Sequence, residues 1–159
     1  MADWLVVDVG FSVEGDAADL FATGPQRNLM TVTALGRADE VLVVGAADPV
    51  GLSRLARGLV DLHDLVPDAP VRVVVNRART SLGWSEHEIH GMVEGFVQAR
   101  GVHFVPDDRA GADRALMAGH SLVESGDSAL RRGVAEVADA LLGDRPLPQP
   151  GRFRRTRSR

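Results

Sequence analysis

Val71-Arg72-Val73-Val74-Val75-Asn76-Arg77 is the stretch that decides the fold. Four of its first five residues are valine, so it is nearly continuous in apolar character. A run of this kind suits a strand covered on both faces, as in a parallel sheet. Three further runs share the character: Trp4–Val9 (WLVVDV), Val41–Ala46 (VLVVGA) and Val102–Val105 (VHFV). Neighbouring runs lie about 30 residues apart, which leaves room for a crossover helix between parallel strands.

The intervening segments carry the helical period. Asp48-Pro49 reads as an N-cap followed by proline at the first helical position. Leu52, Leu55, Leu59 and Leu62 then fall at steps of three and four and form one apolar stripe. Ser85 with Glu88 three residues on predicts a capping box. Behind it Ile89, Met92, Val93, Phe96 and Val97 make a second stripe, with Gly101 as the expected stop. A short helix is expected over Arg109–Ala118, with Asp108 as its cap. The last stripe is Leu130, Val134, Val137, Leu141 and Leu142, capped by Asp127 or Ser128 and stopped at Gly143. Strands alternating with helices predict an α/β protein, with a mostly parallel sheet and helices on both faces.

Two stretches break this rhythm. Phe11–Arg27 contains Gly15, Gly24, Pro25 and several acids, and reads as a long loop. Residues 144–159, DRPLPQPGRFRRTRSR, combine three prolines with an arginine cluster and read as a disordered tail. Residues 1–143 therefore form the one expected domain. Internal repeats are absent.

Composition excludes whole classes of chemistry. The 159 residues include no cysteine, which removes disulfides, zinc–thiolate sites and a cysteine nucleophile. All 18 cations are arginine. Without lysine, a phosphate loop of the G-x-x-x-x-G-K-[ST] kind and Schiff-base catalysis cannot exist in this sequence. The apolar runs are far too short to span a membrane, and Met1-Ala2-Asp3-Trp4 lacks the character of a secretory signal, so a cytoplasmic protein is expected. Net charge is −4, but residues 152–159 carry five arginines and no acid. That basic tail is expected to make at most weak, non-specific contact with nucleic acid or an anionic surface, or to remain solvated.

Several residues at strand ends are candidates for function. Asp8 closes an apolar run, and a carboxylate at the carboxyl end of a parallel strand sits where such folds bind ligands. It suits a magnesium-bound water, or equally a turn cap. Asn76 offers a donor and an acceptor that match the edge of an adenine, and the Arg77 guanidinium can stack on a base. The competing reading is an asparagine bonded to its own turn. Pro106-Asp107-Asp108 follows the last run. His87 and His90, near Glu86 and Glu94, are spaced to share a metal or simply to line a solvated helix face. Gly119-His120-Ser121 lacks the strand and the second glycine of a nucleophile elbow, and Ser53 lacks such a setting too.

Taken in order, D-W-L-V-V-D-V-G (3–10), R-N-L-M-T-V-T-A-L-G-R-A-D-E-V-L-V-V (27–44), V-V-V-N-R (73–77) and F-V-P-D-D (104–108) resemble the MinD/ParA family of P-loop ATPases. The likeness is closest to actinobacterial members related to pilus-assembly, septum-site and chromosome-partitioning proteins, and runs from Asp3 to Gly143. It implies a partial P-loop NTPase fold that binds ATP and magnesium. By the same resemblance Asp8 contacts the magnesium shell and Gly10 lies near the terminal phosphate. Asn76 and Arg77 match the adenine-reading position, and the Pro106-Asp107 loop matches the segment that closes over the base.

The family's phosphate loop and lysine would precede Asp3, so the resemblance implies a carboxy-terminal portion with no catalytic residue of its own and no independent hydrolysis. In the family sheet the phosphate-loop strand lies between the Asp-ended strand and the next. A sheet missing it is expected to self-associate, to pair with a partner that carries the loop, or to rearrange its strand order. A non-catalytic scaffold that keeps the ATPase-like shape is the alternative function.

Overall fold

A computed structural model describes residues 4–10, 29–79, 81 and 83–143. Three of the four valine-rich runs form strands: β1 (Val41–Ala46), β2 (Val71–Ala78) and β3 (Val102–Pro106). They are parallel and lie side by side in chain order, β1-β2-β3. Around them are α1 (Leu29–Leu35), α2 (Pro49–Leu65), α3 (Glu86–Glu94), α4 (Arg109–Ala118) and α5 (Ala129–Leu142). The protein is α/β, with a parallel sheet.

Strand alternation divides the core into two layers. On one face Val41, Val71, Val73 and Val75 pack with the leucine stripe of α2 and with Ile89 and Val93 of α3. Leu59, Val73, Val75 and Val93 are essentially sealed from solvent. Burying one such side chain contributes about 1.5–3 kcal/mol, so this layer dominates stability. On the other face Val74 and Val105 meet Val137, Leu130 and Leu141 of α5. Helices thus cover both faces, but unequally. α5 lies over β3, and on that side of β1 Leu42 and Val44 are 39% and 58% exposed.

The caps explain where the helices start. Asp48 Oδ1 accepts the Gly51 N–H at 2.9 Å and Pro49 opens α2. Ser85 and Glu88 form the reciprocal capping box of α3, with the Ser85 N–H donating to Glu88 Oε2 at 2.7 Å. Ser128, rather than Asp127, caps α5 by accepting the Arg131 N–H at 3.0 Å. Gly143 follows α5 at φ 63. All of these sit at or within one residue of where the residue pattern puts them.

Three expectations need correction. Trp4–Val9 is not a strand. Asp8 Oδ1 accepts the Gly10 N–H at 2.9 Å, and Gly10, at φ 77, turns the chain directly after the run. Val9 packs against the first core layer, whereas Leu5 and Val6 are 86% and 91% exposed. An apolar run becomes a strand only where another strand pairs with its backbone, and nothing in the run itself specifies that partner. Second, α3 stops at Gly95 rather than reaching Gly101, so Phe96 remains exposed. Third, α1 occupies a stretch for which the residue pattern predicts no helix. Its Thr31, Val32 and Thr33 are poor helix formers, and it is anchored by one buried residue, Leu35. The expected loop 11–27 and tail 144–159 lie outside the described residues.

Candidate functional site

The carboxyl ends of the three strands are laced together by backbone. The Ala47 N–H donates to Asn76 O at 2.8 Å, and the Asp107 N–H donates to Ala78 O at 3.1 Å. Between those two bonds β2 is irregular. Asn76 pairs with Val105 and Ala78 with Pro106, so Arg77 is an extra residue, a bulge in the central strand. Arg77 stands at φ 59, the left-handed region, where a residue with a side chain is strained. Asn76 Oδ1 accepts the Arg77 N–H at 2.8 Å and holds the bulge from its own side chain. Bulges of this kind re-aim side chains at sheet rims.

Beside the bulge the rim opens into a cleft of about 730 Å³. Ala47, Ala78 and Pro106 from the three strand ends form part of its wall, with Phe104 of β3, Ile89 of α3 and Trp84 before that helix. Arg79, Glu86 and the capping pair Ser85 and Glu88 supply its polar groups. Trp84 is 48% exposed, so one part of the indole packs and the other is open. Hydrogen bonds from Ser85 hold the Glu88 carboxyl below its ordinary range, its backbone N–H contributing most.

Asp107 lies between two guanidinium groups, 3.7 Å from Arg79 Nε and 3.7 Å from Arg109 Nε. Its own side chain is only 14% exposed. The carboxylate therefore pairs loosely with Arg79, which lines the cleft. Asp108 has a different task. One of its oxygens accepts the Gly111 N–H at 2.8 Å and the other the Leu130 N–H at 3.3 Å, so a single carboxylate caps α4 and also reaches the start of α5. Those bonds, that from Gly111 first, hold its carboxyl below the usual range.

Of the residues singled out from sequence, Pro106 lines the cleft and Asp107 pairs with its arginine. Asn76 and Arg77 share the same rim but do not line the cleft. Asp8 and Gly10 bond to each other, and no hydrogen bond among the described residues ties them to that rim. Magnesium held through one carboxylate relies on phosphate oxygens for further ligands. Among the described residues no three His, Cys, Asp or Glu side chains gather into a metal site. His90 instead lies 3.4 Å from Glu94 on the exposed face of α3, and Ser121 bonds to Glu124 in a turn of its own.

Sequence reasoning missed Arg79, Trp84 and Phe104. Trp84 carried a usable signal: it is a large aromatic directly before an N-cap, in a linker that follows a buried strand. No family model, curated protein or solved structure matches the chain significantly. Among the described residues no helix is long and apolar enough to cross a membrane.

Proposed function

We propose that the chain is the base-binding portion of a MinD/ParA-like ATPase, a cytoplasmic positioning or partitioning protein, and that its rim cleft receives the adenine ring of ATP. The observation that carries this reading is the meeting of Trp84, Phe104, Pro106 and Arg79 at the carboxyl rim of a parallel sheet. That rim is where open α/β folds bind ligands. Trp84 offers a stacking face and Phe104 with Pro106 an apolar wall. Arg79, paired loosely with Asp107, is free to stack on the base or meet a phosphate. The strained bulge adds support, because strain at a rim persists where it serves a function. Asn76 and Arg77 shape the rim beside the cleft rather than line it. Magnesium would enter with the phosphates, which supply its ligands, and Asp8 is the carboxylate that the family resemblance assigns to its water shell. Hydrolysis by this chain alone is not expected, since it has no lysine to hold the phosphates.

Trp84 fluorescence tests the reading in protein carrying Trp4→Phe. Adenosine and ATP should quench it saturably with Kd of about 0.1–1 mM, the affinity of a base held without phosphate contacts. Arg79→Ala should weaken ATP by about tenfold, a loss of one charge-assisted contact. Absence of any saturable response to adenine nucleotides would sink the proposal. Magnesium-dependent ATP turnover that disappears in Asp8→Ala would overturn its non-hydrolytic part.

The second reading is a non-catalytic scaffold, favoured by the exposed apolar residues Trp4–Val7 and by the uncovered side of β1. It predicts no nucleotide response from a folded protein.

A further inference from the structure

Among the described residues β1 is an edge strand, and its outer edge is recognisable from the bonds on its inner one. The Val41 N–H donates to Pro70 O and the Ala47 N–H to Asn76 O, both at 2.8 Å and both toward β2. In a parallel strand these groups alternate sides along the chain, so the N–H and C=O of Leu42 and Val44 point outward. No backbone bond among the described residues reaches them. The side chains of the same two residues lie on the uncovered part of the sheet. Open polar backbone beside exposed apolar surface is a template for another strand.

The chain also displays a segment of the complementary kind. Trp4–Val9 is six residues long, as is β1, and unpaired. Alternation would put Trp4, Val6 and Asp8 on one face and Leu5, Val7 and Val9 on the other, so Trp4–Val7 is apolar on both and only Asp8 near the end is charged. Such a strand belongs inside a sheet. Here Trp4 is 54%, Leu5 86%, Val6 91% and Val7 55% exposed, while Val9 at the far end is tucked against its own core. Each copy thus offers one donor run and one acceptor edge, and it does not join its own.

We propose that two copies of this chain pair by strand exchange, with Trp4–Val7 of each adding to the outer edge of β1 in the other while Val9 stays in its own core. The donor supplies backbone partners for Leu42 and Val44, and its apolar side chains cover theirs. Exchange in both directions uses both donors and both edges, so the assembly closes at two. The pairing requires no nucleotide and uses none of the residues that line the rim cleft.

The mass of the purified chain in solution, by light scattering or sedimentation, tests this at micromolar concentrations. A dimer is expected. Val6→Asp puts a charge on the donor at a side chain with almost no packing of its own, so it should leave the monomer folded and weaken the dimer by about tenfold or more. Val44→Pro removes one outward N–H of the acceptor and should do the same. Should that variant unfold, the donor variant still decides. The absence of native cysteine allows a direct trap, because Val6→Cys and Val44→Cys placed on separate copies should oxidise to a covalent dimer. A wild-type monomer, a ladder of larger species, or a dimer indifferent to Val6→Asp would overturn the proposal. So would an internal disulfide in a monomer carrying both substitutions, which would show the run joining its own β1.

Discussion

Asn76 and Arg77 are locked to each other: the Asn76 side chain accepts the Arg77 N–H at 2.8 Å, and Arg77 is held at φ 59. Left-handed backbone costs a residue with a side chain about 1–2 kcal/mol, which glycine avoids in part. Arg77→Gly should therefore raise stability by about 0.5–1 kcal/mol, read as a higher denaturant midpoint. Adenosine affinity should fall in the same protein if the strain serves the rim. A loss of stability would mean that the arginine side chain itself holds the bulge.

Gly133 lets α5 approach β3. A Cβ at this position would meet Pro106 Cδ at 2.9 Å and Val105 Cα at 3.3 Å. Gly133→Ala must push the helix off the strand or displace Pro106, and should cost about 1–3 kcal/mol. Thermal unfolding measures the cost. Nucleotide titration of the same variant shows how far the wall of the cleft has moved.

His103 gives the fold a dependence on pH. Its Nε2 lies 3.0 Å from Arg72 Nη1, in a group that includes the 2.6 Å Arg72–Glu40 pair. Burial lowers its pKa first, the Arg72 charge second, while Glu136 and Glu40 oppose the shift. Folded His103 therefore favours the neutral form, and the unfolded chain binds the proton more tightly. Its contribution is complete above the ordinary histidine range and is lost as pH falls through and below that range. The thermal midpoint should drop on acidification from about pH 7.5 to 5.5, and His103→Gln should flatten that slope.

Asp108 should behave as an acid-sensitive cap. Its lowered pKa marks stability that is present above the normal carboxylate value and lost as pH falls toward the folded one. Asp108→Ala should lower the thermal midpoint at neutral pH. Asp108→Asn, which keeps an acceptor but not the charge, should lose less and respond less to acid between about pH 5 and 3. Melting curves across that interval distinguish the three proteins.

The sheet was legible because β1, β2 and β3 are valine-rich runs, of which β2, the central strand, is the most buried. The leucine stripe of α2 and the caps Asp48, Ser85 and Asp108 were legible because their signals are local, complete within a few residues. Trp4–Val9 was misread for the complementary reason. Its composition is that of a buried strand, but pairing is a property of two segments, and one segment cannot announce its partner. The cleft was half legible. Pro106 and Asp107 follow a strand and so attract notice. Trp84 and Arg79 join them only in the folded protein, a juxtaposition no spacing rule encodes.

The two bonds of Asp108 have a mechanical consequence. Because the same carboxylate grips the first turn of α4 and the first turn of α5, the two helices share one pivot immediately after β3. Loss of that one carboxylate would therefore release the starts of both helices together, so a single side chain holds two joints of the fold.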